Sequence, residues 1–219
     1  HRNTVPPRKK SKGRPEASGQ FFKMGWRGYL IANMETTIEP LEEVSDEELE
    51  DLCDAAESAI LDGGGFGWLN PPPRAVLGRY FRGVALVPER HLFVGRLDNR
   101  VAAAIQLQEP PRNNEAHSHA ASLTTLFVAP WARGHRIGPR LIGAVESLAK
   151  ELGYLRLNFD VRSTQSDAVR LFESLGFELW GTNPAYALVD GELIAGHYYS
   201  KELRKLSKKK KKGRKKTPT

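Results

Sequence analysis

Apolar positions in the middle of the chain recur at two spacings, about 3.6 and 2 residues, and the switches between them mark out a series of helices and strands. Leu30–Ile38 is expected as a first strand. Leu49, Leu52, Cys53, Ala56 and Ile60 then lie on one helical stripe. Ser45-Asp46-Glu47-Glu48 opens that helix as a capping box, and Gly63-Gly64-Gly65 closes it. Pro71-Pro72-Pro73 opens a second helix that runs to about Val87-Pro88. The period then drops to 2. His91–Leu97 and Arg100–Leu107 flank Asp98-Asn99, a pair suited to a tight hairpin, and the β-branched run Ala121–Val128 follows the polar loop Pro110–Asn114. After the Gly/Arg loop Pro130–Gly138, Leu141–Leu152 is amphipathic, Leu155–Val161 alternates as a strand, and Ser166–Leu175 is helical up to Gly176. Phe177–Val189 and Glu192–Tyr199 form a last hairpin over Asp190-Gly191. The order β-α-α-β-β-β-α-β-α-β-β predicts an α/β fold with a mixed sheet of six or seven strands and helices on both faces.

Charge divides the same chain differently. Residues 1–27 carry eight Lys/Arg against Glu16, and residues 201–219 carry eleven against Glu202. Residues 28–200 hold the other 14 Lys/Arg and 24 Asp/Glu, so an acidic centre at −10 lies between basic ends totalling +17, within a net +7. Three regions follow: a basic, Pro/Gly-rich arm over 1–27, a folded domain over 28–200 and a Lys/Arg-rich tail over 201–219. Within 21–34, FFKMGWRGYLIANM is aromatic enough to dock on a surface. The single cysteine, Cys53, falls on a helical stripe as a small core residue; a disulfide framework or a cysteine zinc site is excluded, and no metal is expected. No apolar run is long enough to cross a membrane as a helix, and no secretory core stands at the N-terminus. The expected location is inside the cell: cytoplasmic, or mitochondrial if His1 follows a removed transit peptide.

The chemistry concentrates between Leu123 and Phe177. A strand ends in Ala129-Pro130-Trp131-Ala132-Arg133-Gly134-His135-Arg136-Ile137-Gly138 and passes into a helix. Two glycines let the backbone bend and approach a ligand, the helix start offers unpaired N–H groups, and Arg133 and Arg136 add positive charge. That combination suits a phosphate or pyrophosphate; an ordinary strand-to-helix turn with surface arginines suits it equally. The loop lacks the Gly-Lys-Ser/Thr ending of a P-loop, and its glycine spacing is not that of a dinucleotide fingerprint. Gly63–Gly67 is also glycine-rich, but it follows a helix and is expected to be a helix stop.

This loop resembles the pyrophosphate loop of the GNAT acetyltransferases, Gln/Arg-x-x-Gly-x-Gly/Ala. Arg133 and Gly138 match its ends, and Arg136 stands where the middle glycine usually falls. Downstream, Gln165, Ala168, Leu171, Phe172, Gly176 and Phe177 are similar in register to the family's second block, Asn-x-x-Ala-x-x-Leu-Tyr-x-x-x-Gly-Phe, with Gln165 for Asn and Phe172 for Tyr. The resemblance implies the GNAT fold and acetyl-CoA as co-substrate. Its pyrophosphate would rest on Arg133, Gly134, His135, Arg136, Ile137, Gly138 and Pro139. Its pantetheine would lie as an extra strand between the splayed ends of Leu123–Val128 and Leu155–Val161, with Phe127 and Val128 holding the thioester carbonyl and with Gln165 and Phe172 also binding the coenzyme. An amine would then attack the thioester directly.

Phe172 has no hydroxyl, whereas many relatives use a tyrosine there to protonate the departing thiolate. Tyr186, His197, Tyr198 and Tyr199 on the last two strands are candidate substitutes, and Glu115, His117 and His119 before the central strand are candidate bases. Glu115, His119 and Tyr186 are the catalytic assignment. A second reading stays open: a GNAT-fold domain with little or no catalysis, acting as an RNA-binding component of a ribonucleoprotein such as an organellar ribosome. On that reading Lys208, Lys209, Lys210, Lys211, Lys212, Arg214, Lys215 and Lys216 would neutralise RNA phosphates.

Overall fold

The computed structural model describes residues 34–64 and 66–205. The basic arm, the aromatic segment up to residue 33 and all eight basic residues from Lys208 to Lys216 lie outside the described residues.

Seven described strands form one sheet in the order β1-β2-β3-β4-β5-β7-β6. They are β1 (Thr36–Pro40), β2 (Arg90–Leu97), β3 (Arg100–Gln108), β4 (Ala120–Val128), β5 (Arg156–Arg162), β6 (Glu178–Val189) and β7 (Glu192–Glu202). Four described helices cover it: α1 (Asp46–Leu61), α2 (Arg74–Ala85), α3 (Ile137–Glu151) and α4 (Ser166–Ser174). The element order is the one expected from the hydrophobic pattern. Residues 30–33 of the expected first strand lie outside the described residues; Met34 and Glu35 are not in a strand, β1 runs from Thr36, and β7 continues to Glu202, into the segment assigned to the tail. The helix expected from Leu141 starts four residues earlier, at Ile137. Pro139 is compatible with the first turn because its missing N–H would have no intrahelical acceptor there.

Local signals account for the ends of several elements. At α1 the Ser45 hydroxyl accepts from the Glu48 N–H at 3.2 Å, while the Glu48 carboxylate accepts from the Ser45 N–H at 3.0 Å, an arrangement worth about 1 kcal/mol. Asp98 and Asn99 both take positive φ, 49° and 67°, as the β2–β3 turn requires.

The sheet separates two cores. One packs Leu141, Ile142, Val145 and Phe172 of α3 and α4 on Ile105, Leu123 and Phe159. The other packs Leu49, Leu52, Leu77 and Phe81 of α1 and α2 on Val94, Val101 and Phe127. β3 is buried on both faces, hence the continuous apolar run Val101–Ile105 in a strand that pairs on both sides. Arg96 joins three elements: its Nε donates to Glu39 of β1 and its Nη2 to Glu48 of α1, each at 2.5 Å.

Candidate functional site

β4 and β5 are neighbouring parallel strands, yet they pair only through Ala120↔Arg156, Ala121↔Leu157 and Ser122↔Asn158. Every other pairing in the sheet is antiparallel. Beyond Ser122 the two strands diverge, and their C-terminal halves wall a cleft. β4 is bent away by a bulge. Ala104 pairs with Phe127 and Gln106 with Thr124, so two residues of β4, Thr125 and Leu126, stand opposite Ile105 alone. Thr125 has φ of 55°, a conformation that costs a β-branched residue about 1–3 kcal/mol.

One end of the cleft is a cavity of about 860 Å³ lined by Phe127, Val128, Arg133, Gly134, Arg136 and the first turn of α3. Gly134 has φ of 88°, which a side chain would resist. Arg136 also sits in the left-handed region, at φ 59°, where glycine would be unstrained; this is the position at which the family motif has its middle glycine. Gly138 is buried, and a Cβ there would come within 3.3 Å of Leu171. The first turn of α3 leaves the N–H groups of Ile137 and Gly138 without intrahelical acceptors. With the helix dipole and Arg136, this cradle fits a diphosphate. Arg133 is held across the mouth by Asp62 at 2.6 Å. Gln165 lines the same cavity and its side-chain amide donates to the Gly63 carbonyl at 2.6 Å. The glycine segment that reads as a plain helix stop therefore also borders the cleft. Pro139 lines the cavity too, while His135 is half-buried and does not reach it.

The other end is a cavity of about 550 Å³ lined by Phe66, Leu69, Thr125, Phe159, Asp160 and Tyr186, among others. Tyr186 donates its hydroxyl to the Asp160 carboxylate. Burial, followed by that hydrogen bond, pushes the Tyr186 hydroxyl well above the ordinary tyrosine range, so Tyr186 keeps its proton near neutrality. Gly196 of β7 is the seat of this ring. Asp160 is a carboxylate exposed on the cleft side of β5, at a position that nothing in the sequence singles out.

The remaining candidates lie elsewhere. Glu115 is in a single exposed 3-10 turn and His119 is exposed just before β4. The His119 carbonyl accepts from Leu155 and Arg156 at the closed end of the β4–β5 pair. Six residues of strand, roughly 20 Å, separate His119 from Thr125. Glu115, His117 and His119 therefore stand at the wrong end of β4 to act on anything in the cleft, a correction to their assignment as bases. Phe172 is also corrected. It is fully buried, stacked on Phe159 at 3.6 Å and edge-on to Phe177 at 5.0 Å, and forms part of the core under the cleft. Tyr199 is core as well, bonded to Glu173 at 3.0 Å.

The model of the Acetyltransferase (GNAT) family matches residues 47–177. An uncharacterized N-acetyltransferase from the hisH-hisA intergenic region of Azospirillum brasilense is 54% identical over 131 residues, covering 60% of this chain and 78% of that protein. Among solved structures, an N-acetyltransferase from Staphylococcus aureus superposes with a TM-score of 0.67 at 16% identity, over 78% of this chain and 99% of that one. An acetyltransferase from Salmonella typhimurium, solved with its cofactor acetyl-CoA, superposes with a TM-score of 0.62 at 15% identity, over 78% and 96%. These two similarities are of fold. The matched span holds both sequence blocks, the split sheet and the cradle at α3, and on it the chain belongs to the GNAT family of acetyltransferases.

Proposed function

We propose that this protein transfers the acetyl group of acetyl-CoA to a primary amine by direct attack within the cleft. The observation that carries the reading is the split between β4 and β5, which joins a diphosphate cradle at one end to a cavity containing a carboxylate at the other. Acetyl-CoA bound to the solved Salmonella relative of the same fold supports the choice of donor. The amine nitrogen attacks the thioester carbonyl carbon, the C–S bond breaks, and coenzyme A leaves as its thiolate. Asp160 takes the proton released by the nitrogen, directly or through one water. The thiolate departs without a tyrosine at position 172. Tyr186 orients the carboxylate, since its hydroxyl is committed to Asp160. The acidic domain, at −10 over residues 28–200, favours approach of a cationic acceptor.

Two measurements test this reading. Titration calorimetry is expected to detect acetyl-CoA binding, and amine-dependent thiol release should fall about 10²–10⁴-fold in Asp160→Asn while that binding is kept. An Asp160→Asn protein as fast as wild type removes Asp160 from the reaction; no binding of acetyl-CoA removes the function.

A further inference from the structure

Gln106 is the one fully buried polar side chain among the described residues, inside an Ala- and Leu-rich strand. Its Nε2 donates to the Tyr80 hydroxyl at 2.9 Å, and its Oε1 has no partner. A leucine or methionine would fill the same space without desolvating an amide. The amide nitrogen, not its oxygen, faces Tyr80, so the Tyr80 oxygen accepts at this contact, and the second N–H and the carbonyl oxygen of Gln106 stay unpaired. Tyr80 and Thr125 lie 2.8 Å apart, hydroxyl to hydroxyl. The Tyr80 oxygen already accepts from Gln106, and a phenol is the better donor of the two. The Tyr80 proton therefore goes to Thr125, and the proton of Thr125 is left to point away from the core. Each bond in such a chain polarises the next. Thr125 is also the strained residue of the β4 bulge, and it lines the cavity that holds Asp160. Thr125 and Asp160 thus stand on the two strands that border this one cavity.

We propose that Thr125 is a hydrogen-bond donor fixed by Tyr80 and Gln106 to grip an oxygen of the acceptor, so that the acceptor carries a carbonyl or carboxylate oxygen beside its amine. This inference rests on the acetyl-transfer reading above and deepens it. Asp160 receives the nitrogen end of the acceptor and Thr125 its oxygen. Thr125 selects the substrate; Tyr80 and Gln106 position its proton without touching the ligand.

Two probes with the same number of heavy atoms, L-alaninamide and 2-amino-3-methylbutane, separate the possibilities in a thiol-release assay with the full chain. The ratio of their kcat/KM values, compared between variants, cancels their difference in basicity. Wild type is expected to favour alaninamide. Thr125→Val, and Thr125→Ala should the valine protein fail to fold, are expected to cut the ratio about tenfold, chiefly through the KM for alaninamide. Thr125→Ser, which keeps the hydroxyl, should restore the ratio, and Gln106→Leu should lower it from a distance. A role for Thr125 in folding alone would lower both probes together and leave the ratio fixed, and that result overturns the inference. So does turnover of neither probe by a wild type that binds acetyl-CoA, which leaves the coenzyme cleft standing. Failure to bind acetyl-CoA overturns the underlying function and this inference with it.

Discussion

Replacing Gly196 by alanine tests whether the Tyr186 ring is seated on the backbone of β7. A Cβ at Gly196 would lie 2.1 Å from Cγ of Tyr186 and 2.5 Å from both its Cδ atoms. Carbon atoms settle at about 3.5–4.0 Å, so the base of the ring must retreat by roughly 1.5 Å. The clashing atoms are next to the Tyr186 Cβ, where a side chain has little slack; the ring has to change χ1 or carry β6 with it. Either movement takes the hydroxyl off Asp160. Overpacking of this kind costs about 1–3 kcal/mol, of which replacing a strand glycine returns about 0.5–1 kcal/mol. The melting temperature should fall by up to about 10 °C, since a domain of this size loses about 2–4 °C per kcal/mol. The decisive assay is thermal unfolding of four proteins: wild type, Gly196→Ala, Tyr186→Ala and the double variant. Once the ring is gone, the added methyl meets no clash, and Gly196→Ala should be neutral or mildly stabilising, a coupling of about 1 kcal/mol or more. An equal loss in both backgrounds would refute the seating argument. In turnover, Gly196→Ala should behave as Tyr186→Phe does, because both remove the same hydrogen bond from Asp160.

Two other expectations concern charge. Asp62→Asn removes a carboxylate 2.6 Å from Arg133 at the diphosphate cradle; coenzyme A affinity measured by calorimetry at low salt should rise, by up to about fivefold for so exposed a pair, and the gain should fade in 0.5 M salt. Unchanged or weaker binding at low salt would place the diphosphate elsewhere. The hydroxyls of Tyr154, Tyr186 and Tyr199 are all raised above 10, first by burial and then by Glu109, Asp160 and Glu173. The folded chain therefore keeps protons that the unfolded chain sheds above about pH 10, so their contribution to stability is complete below that pH and is lost as pH climbs past it. Urea unfolding between pH 8 and 11.5 should show this decline, and Tyr154→Phe should flatten it; a level profile would contradict the raised values.

Features set by neighbours in the chain were legible in the sequence. The capping box at Ser45, the tight turn at Asp98-Asn99 and the Gly/Arg loop that passes into a helix at Ile137 are all written within ten residues or fewer, and the structure has them at those positions. The two family blocks added the fold, because their order already places β4, α3, β5 and α4. What escaped depends on residues far apart. Asp160 reads as one more polar position in an alternating strand; it borders a cavity only because β4 leaves β5 after Ser122. Thr125 reads as a β-former, and only the register against β3 exposes the bulge that gives it positive φ. Glu115 and His119 were attractive because acids and imidazoles perform acid–base chemistry, but a strand has two ends and the cleft opened at the other one. Phe172 fits its motif in register, yet in space it serves the core.

The short parallel pairing of β4 with β5 has a consequence in time as well as in space. Three residue pairs join two antiparallel half-sheets, and past Asn158 the backbone groups facing the gap have no strand beside them. Those amides lie in the middle of a seven-stranded sheet, yet they should trade their hydrogens for deuterium as quickly as an outer edge does. The amides of β3, paired on both sides, must wait for the whole domain to open. A molecule settling into the gap would slow the first group and leave the second alone, so isotope exchange on these few amides would report occupancy of the cleft with no chemistry required.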